Sequence, residues 1–171
     1  MFRKFIMGSF FVSTSKQLLH KETIHRLLKD QFWSKDIPIE YVSRFIDHSC
    51  CFGVYKKETN EQVGFARVIT DYTTYAYMCD LVIDEKHRGQ GLGANLVDSI
   101  MAHPDLQGLK AWTMRTTEDA RKIYEKRGFK VAEHPETNLE IENLKIYSDP
   151  GFKNLHKNDE VNSQIYSRPN Q

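Results

Sequence analysis

Excess charge and cysteine are both scarce in this chain of 171 residues. It carries 24 Lys and Arg against 23 Asp and Glu, which leaves a formal net charge of +1. Such a balance argues against nucleic acid or an anionic membrane as the main partner. The three cysteines are an odd number, and Cys50 and Cys51 are adjacent. They therefore do not form a disulfide framework, and a reducing, cytoplasmic location fits them best.

Long hydrophobic runs and metal-binding patterns are also missing. No apolar stretch approaches the roughly 20 residues that span a bilayer. The apolar patch near the N-terminus is short and has no cleavage site after it, which argues against a signal peptide. The seven histidines are scattered without metal-ligand spacing, so no metal is expected.

The length favours one domain over residues 1–148, with a polar tail at 149–171 that can pack on a neighbouring copy in a homodimer.

Apolar spacing in the first half of the chain predicts one strand, two helices and then three strands. The first strand covers residues 9–13. Residues 50–70 form two strands around a polar turn at 58–61, and a further strand covers about 75–83. Pro38 suits the first position of the second helix. The first helix has apolar residues of helical spacing on one face. These residues are Ile24, Leu27, Leu28 and Phe32.

The second half of the chain predicts a helix after a glycine-rich loop, a strand at 109–115, a short helix and two final strands. Thr116 is the expected N-cap of the short helix, and Gly128 is expected to close it. The final strands are predicted at 129–133 and 140–148. The order β-α-α-β-β-β-α-β-α-β-β predicts an α/β fold of the α+β type. Its sheet is mixed and mostly antiparallel, with about six to seven strands and helices on both faces.

The glycine-rich loop lies in "HRGQGLGANL", residues 87–96. A turn that only caps the helix is one explanation. A dinucleotide site would need an acidic residue about 20 positions further on, and residues 109–114 contain none. A triphosphate loop needs Gly-Lys-Ser/Thr after its glycines, where this chain has Gly93, Ala94 and Asn95. The remaining functional interpretation is a pyrophosphate held by backbone N–H groups at the start of a helix.

Two motifs together resemble a known family. "LVIDEKHRGQGLGANLV" resembles the acyl-CoA-binding motif of the GNAT superfamily of N-acetyltransferases, Q/R-x-x-G-x-G/A. "ARKIYEKRGF" resembles the later signature of the same family, A-x-x-L-Y-x-x-x-G-F. The resemblance covers about residues 8–147. The matching residues are Arg88, Gly91 and Gly93 in the first motif and Ala120, Tyr124, Gly128 and Phe129 in the second.

This resemblance implies a fold, a reaction and a cofactor site. The fourth and fifth strands of the family splay apart to admit the pantetheine arm. The reaction is acetyl transfer from acetyl-CoA, the co-substrate, to a primary amine of a small molecule by direct attack in a ternary complex. Thr117 stands where many members have an Asn that contacts the cofactor. The implied cofactor-binding residues are Leu81, Val82, Ile83, Arg88, Gly89, Gln90, Gly91, Leu92, Gly93, Ala94 and Thr117.

The resemblance also implies a role for Tyr124, the usual general acid of the family. A phenol of pKa about 10 is able to protonate a departing thiolate of pKa roughly 8 to 9. Asp80 lies in the otherwise apolar strand "YMCDLVI". It is either the base that takes the proton of the amine or a structural partner of a residue such as Arg67. Strand alternation would place Met78 and Val82 on the same face as Asp80.

The acceptor pocket is expected from aromatic residues outside the helices. Trp33 lies between the first two helices and is either a binding residue or a packing residue. Tyr75 would add aromatic lining that suits a small amine. Two other functions remain open: an acyl-CoA-binding sensor without turnover, and an acetyltransferase that acts on a protein amine.

Overall fold

Six strands and four helices follow one another over residues 5–149, the part of the chain that the computed structural model describes. The predicted tail lies outside this range except for its first residue. The strands are β1 Phe5–Met7, β2 Phe10–Ser13, β3 Cys50–Lys56, β4 Gln62–Thr70, β5 Tyr75–Ile83 and β6 Ala111–Met114. The helices are α1 Lys21–Leu28, α2 Ile39–Asp47, α3 Leu92–Met101 and α4 Glu118–Glu125.

All six strands form one sheet in the order β1-β2-β3-β4-β5-β6. Neighbours are antiparallel from β1 to β5, because tight turns connect most of them, and β6 is parallel to β5 after the α3 crossover. The prediction of a mixed, mostly antiparallel sheet is confirmed, as is the bound of β5.

Hydrophobic side chains cover both faces of the sheet. On one face, called the α3 face, α3 and α4 bury residues such as Leu96, Ile100 and Met78. On the other, called the α2 face, α1 and α2 bury residues such as Leu28 and Val42. Each fully buried side chain of this size contributes about 1.5–3 kcal/mol of transfer free energy to folding. The prediction of helices on both faces is confirmed.

Pairing between β5 and β6 covers only the first part of β5. The two strands pair only from Tyr75 opposite Ala111 to Met78 opposite Met114. Residues 79–83 continue β5 beyond the last of these pairs. We call the unpaired end of β5 at this edge the opening between β5 and β6. It lies where splayed strands are predicted, because β5 and β6 are the fourth and fifth strands of the order expected from the sequence.

The N-terminal strand is accompanied by one that the sequence interpretation missed. Strand β1 pairs with β2 across a two-residue turn, with Met7 opposite Phe10. Gly8 in that turn has φ +56°, a conformation that glycine adopts without steric cost. The short apolar run before Gly8 was a usable hairpin signal.

Helix α1 is shorter than predicted, because its C-terminal carbonyl groups are satisfied early. The N–H of Gln31 and the hydroxyl of Ser34 both donate to the Leu28 carbonyl, at 2.9 and 2.7 Å. These bonds end the helix at Leu28. Phe32 is consequently 63% exposed, and its predicted place on the buried face is wrong.

The two final strands predicted at 129–133 and 140–148 are wrong. This region is irregular and contains two short 3₁₀ turns, Pro135–Thr137 and Ile146–Ser148. Val131, Leu139 and Ile141 are 59, 93 and 105% exposed. Alternating apolar residues favour a strand only when one face becomes buried, and here none does.

The helices of the described residues are short. None of those within 5–149 has the length and apolar character needed to cross a membrane.

Candidate functional site

The glycine-rich segment at residues 88–94, called the phosphate loop, connects β5 to the first turn of α3. Gly89 and Gly91 both have φ +75°, and Gly91 is the N-cap of α3. Within the described residues, the backbone N–H groups of 89–94 donate no hydrogen bond to another backbone group. Residues 88–91 are exposed. The loop therefore presents a row of free N–H groups at a helix N-terminus, the arrangement that binds phosphate groups.

The glycine positions of this loop differ in which side chains they tolerate. At Gly91, a Cβ would meet only the Asn95 side chain, at 3.9 Å, but the positive φ disfavours any other residue. At Gly93 the backbone is helical, and a Cβ would make ordinary contacts with Leu81 and Ile83 at 3.8 and 3.9 Å. Substitution by alanine is consequently strained at Gly91 and tolerated at Gly93, as the Q/R-x-x-G-x-G/A pattern allows.

Arg88 fixes the loop to the end of β5. Its Nε donates to the carbonyl of Ile83 at 3.1 Å, and its side chain is 52% exposed. Asp84 stabilises the turn after β5. Its carboxylate accepts hydrogen bonds from the backbone N–H of Lys86 at 3.1 Å and from Arg26 Nη1 at 2.8 Å. The Nη1 of Arg88 lies 3.6 Å from Glu85 Oε1, which leaves Nη2 for an anion at the loop.

A β-bulge interrupts β5 at Asp80. Arg67 on β4 lies opposite Cys79, whereas Phe65 lies opposite Val82, so β5 has one residue more than β4 between these pairs. Asp80 has φ +56°, which Asp tolerates better than most residues. The bulge reverses the alternation: Met78 lies on the α3 face and Val82 on the α2 face. The predicted common face for these two residues is therefore wrong.

Asp80 is paired with Arg67. The Arg67 Nε donates to Asp80 Oδ2 at 2.5 Å, and the two side chains are 19% and 10% exposed. The guanidinium lies 4.5 Å from the centre of the Phe45 ring and donates through Nη1 to the Ser49 hydroxyl at 3.3 Å. The predicted structural pairing of Asp80 with Arg67 is therefore present. It occupies Oδ2 and leaves Oδ1 of Asp80 without a hydrogen-bond partner in the described chain.

The Arg67–Asp80 pair has an aromatic neighbour from the end of the described chain. Tyr147 packs on the α2-face core and meets Tyr41 edge-on, with ring centres 5.7 Å apart. Burial, and after it the Asp80 carboxylate, raises the pKa of Tyr147. Its neighbour Ser148 donates to Asp36 at 3.1 Å, which ties this segment to the α1–α2 connection. Sequence reasoning missed Tyr147, because only the tertiary fold brings it to β5.

Helix α4 carries the second motif. Thr117, not Thr116, is its N-cap, and the exposed Thr117 side chain makes no capping bond, so that prediction is wrong. At the other end Gly128 has φ +89°, and the N–H groups of Gly128 and Phe129 donate to the carbonyls of Glu125 and Tyr124. These two bonds form a Schellman motif, so the predicted closing glycine is confirmed.

Tyr124 is buried on the α3 face, 6% exposed, and its ring meets Phe129 edge-on. Burial raises the pKa of Tyr124. Tyr124 also borders an open groove of about 820 Å³ along β6 and α4, whose lining does not include the phosphate loop. Other residues that line this groove are Trp112, Met114, Thr116, Arg121 and Phe129.

The two predicted acceptor residues lie apart. Trp33 is half-buried in the α1–α2 connection and packs edge-on against Phe32, with its buried Nε1 lacking a hydrogen-bond partner within the described residues. Tyr75 is 49% exposed at the start of β5. At about 3.3 Å per residue it is some 16 Å along the strand from Asp80. The structure does not bring Tyr75 together with the opening between β5 and β6.

Comparison with known proteins decides the family. A crystal structure of a candidate acetyltransferase of the GNAT family from Xanthomonas campestris pv. campestris is 43% identical to this chain, with a TM-score of 0.78. The match covers 84% of this chain and 100% of that one. The chain belongs to the GNAT family of acetyltransferases.

Other matches agree with this GNAT assignment. The family profile described as "Acetyltransferase (GNAT) domain" matches residues 47–131, which include the phosphate loop and α4. A candidate acetyltransferase of Gibberella zeae is 32% identical over 104 residues. That match covers 50% of this chain and spans 59% of the relative's length. A Deinococcus radiodurans structure, 16% identical with a TM-score of 0.66 over 82% of this chain and 93% of that one, shares the fold.

Proposed function

We propose that this GNAT domain transfers an acetyl group from acetyl-CoA to a primary amine of a small molecule. The observation that carries the proposal is the row of free backbone N–H groups at residues 89–94, beside the opening between β5 and β6. A nest of N–H groups suits the diphosphate of coenzyme A, and the gap suits its extended arm.

The residues of the loop fit coenzyme A. Gly89 and Gly91 supply the turn, the exposed part of Arg88 adds positive charge, and Thr117 offers a free hydroxyl at the start of α4. The remaining proposed contacts are Gln90, Leu92, Gly93 and Ala94 in the loop and Leu81 and Val82 on β5. Bound acetyl-CoA would supply the activated acetyl group.

Three groups would carry the chemistry. The N–H of Ile83 would stabilise the negative charge that develops on the thioester oxygen. Tyr124 would donate a proton to the departing sulfur, a role that suits a phenol kept protonated by burial. Asp80 would accept the proton of the amine through water, because its Oδ1 is not used by Arg67.

Direct transfer is supported by the state of the cysteine beside Asp80. Burial raises the pKa of Cys79 to about 12. A thiol with such a pKa stays protonated near neutral pH and is a poor nucleophile. The amine would then attack the thioester in a ternary complex, where positioning of two bound reactants supplies much of the rate.

A measurement of CoA thiol release with a broad panel of amines tests this function. Release that depends on an amine supports the proposal. Tight CoA binding with no release from any amine would indicate a sensor without turnover. Release only with peptide or protein amines would indicate the protein-directed alternative.

The three free thiols, Cys50, Cys51 and Cys79, support the further proposal of a cytoplasmic location.

A further inference from the structure

The Arg67–Asp80 pair lies where an acceptor would have to arrive. Asp80 follows Met78, the last β5 residue paired with β6, and directly precedes the segment 81–83. The pair belongs to the α2 face, since Arg67 stacks on Phe45 of α2. The phosphate loop leads into α3 on the opposite face. An acceptor that meets the thioester at the opening between β5 and β6 from the α2 face would therefore pass this pair.

Each partner keeps one polar atom unused. Arg67 donates through Nε to Asp80 and through Nη1 to Ser49, and within the described residues Nη2 has no partner. Asp80 accepts at Oδ2, and its Oδ1 has no partner there either. Every polar side-chain atom of the described chain that is both buried and unpaired is known, and neither Arg67 Nη2 nor Asp80 Oδ1 is one of them. Because both atoms lack a partner, both must therefore be accessible to solvent. The pair thus presents one fixed donor beside one fixed acceptor.

The charge of the Arg67–Asp80 pair and the aromatic residues around it restrict the class of ligand that can bind there. Arg67 and Asp80 together are neutral, so the pair does not select a lone cation or a lone anion. Phe45 and Tyr147 add aromatic surface next to it. A ligand that carries both an N–H donor and an anion would satisfy both free atoms at once, and the planar fork of arginine suits carboxylate and phosphate oxygens.

We infer that the acceptor of this enzyme is an amine that carries an anionic group, a carboxylate or a phosphate, within a few bonds of its nitrogen. A water on the Asp80 Oδ1 accepts a hydrogen bond from the amine, and the Arg67 Nη2 donates to the anion. This inference rests on the proposed acetyltransferase function and adds the class of its substrate.

The reaction balances with the groups already described. The amine nitrogen forms a bond to the acetyl carbon while the carbon–sulfur bond breaks. The amine loses one proton through water to Asp80 and solvent, and the sulfur receives one from Tyr124, which solvent replaces. The products are an N-acetylated amine, with its anionic group unchanged, and CoA.

Matched amines test the inference on the unaltered chain. We would compare phenylalanine with 2-phenylethylamine, and phosphoethanolamine with ethanolamine, within a panel of amino acids and their decarboxylated counterparts. The anionic member of at least one pair should have a kcat/KM higher by about tenfold or more, equal to about 1.4 kcal/mol. Carboxylate and phosphate arms identify the source of the anion. A panel without such a preference, including one without turnover, overturns the inference.

The variant Arg67→Lys links the preference to this side chain. It keeps the positive charge but loses the fork, so the preference should fall towards about one, chiefly through a higher KM of the anionic amine. Lys56→Arg, in an exposed ion pair of the β3–β4 hairpin, is the matched control and should keep the preference. An unchanged preference in Arg67→Lys overturns the assignment. The panel decides the inference even if Arg67→Lys does not fold.

Titration with CoA separates this inference from the function on which it rests. If CoA binds and uncharged amines are acetylated as well as anionic ones, only the acceptor class is wrong. If CoA does not bind, the proposed function fails and the inference fails with it.

Discussion

Tyr124 combines a structural role with the chemical role that we propose for it. Its ring is part of the α3-face core, where it contacts Phe129. The same burial raises the pKa of its phenol above the ordinary value of 10. The phenol therefore stays protonated at every pH at which the protein would work, which suits a proton donor.

Replacing Tyr124 by phenylalanine keeps the ring and removes only the hydroxyl. We expect Tyr124→Phe to lower kcat by about 100-fold, the lower end of general acid–base effects, while the Kd for CoA stays nearly unchanged. In the unaltered enzyme, loss of the Tyr124 proton should reduce kcat only above pH 10. Steady-state kinetics across pH and CoA titration measure both effects.

Tyr55 provides the matched control. It is 1% exposed, and its buried hydroxyl has no hydrogen-bond partner within residues 5–149. Tyr55→Phe should leave kcat unchanged without lowering stability, since removing an unsatisfied polar group relieves a desolvation cost. Full activity of Tyr124→Phe, or a large loss of its CoA affinity, would contradict the assigned role.

At the scale of elements, the turn between β4 and β5 depends on one carboxylate. Oδ1 of Asp71 accepts the backbone N–H groups of Thr73, Thr74 and Tyr75 at 2.9, 2.8 and 3.1 Å. Its Oδ2 accepts the Thr74 hydroxyl. This hydroxyl and these N–H groups lower the pKa of Asp71 well below the ordinary 3.8. The turn is thus stabilised by the charged form.

Removal of this carboxylate should have a pH-dependent effect on stability. A lowered folded-state pKa contributes stability above the unfolded-state value, and that contribution is lost as the pH falls towards the folded-state pKa. Asp71→Ala should therefore lower Tm by a few degrees at pH 7, and the difference should shrink as the pH drops below about 4.

Thermal unfolding between pH 7 and pH 2 measures this difference. Asp30→Ala is the control, since Asp30 is exposed and makes no side-chain hydrogen bond within the described chain. A Tm difference for Asp71→Ala that is constant over the whole range would refute the role of the charge.

The elements that sequence reasoning predicted well carry local signals. Helix α3 follows a glycine N-cap with apolar residues at helical spacing, and the Gly128 position closes α4. Both motifs of the candidate site lie on these elements, so a candidate site could be proposed from the sequence.

The parts that were not predicted depend on distant contacts. The bulge at Asp80 arises from the register between β4 and β5, which no local pattern encodes. The end of α1 depends on Ser34, six residues beyond the last helical residue. The contact of Tyr147 with the α2-face core joins residues far apart in sequence. Such features follow from tertiary packing, which overrides local propensity.

At the scale of the whole molecule, the two groups of proposed site residues lie on opposite faces of the sheet. The phosphate loop and α4 lie on the α3 face, whereas Arg67 and Asp80 belong to the α2 face. Cofactor and acceptor would enter from opposite sides and meet where the pairing of β5 with β6 ends. A ternary complex needs such separate entrances, because neither ligand then blocks the other.

The homodimer remains a prediction at this scale. Leu139 and Ile141 are almost fully exposed in the single chain, and exposed apolar residues often mark contacts between proteins. Light scattering after size exclusion should give about twice the 20.0 kDa chain mass. A mass of one chain at all concentrations would rule the dimer out.

Calorimetric titration of three forms of the protein with CoA determines whether the free N–H groups at residues 89–94 hold the diphosphate of coenzyme A. The unaltered chain and Gly93→Ala should bind alike, because a Cβ fits at Gly93. Gly91→Val should fold, because a Cβ there meets only Asn95 at 3.9 Å. It should nevertheless lose about 100-fold or more in CoA affinity, since a branched residue disfavours φ +75°. Normal CoA affinity in a folded Gly91→Val variant would mean that these N–H groups do not hold the diphosphate.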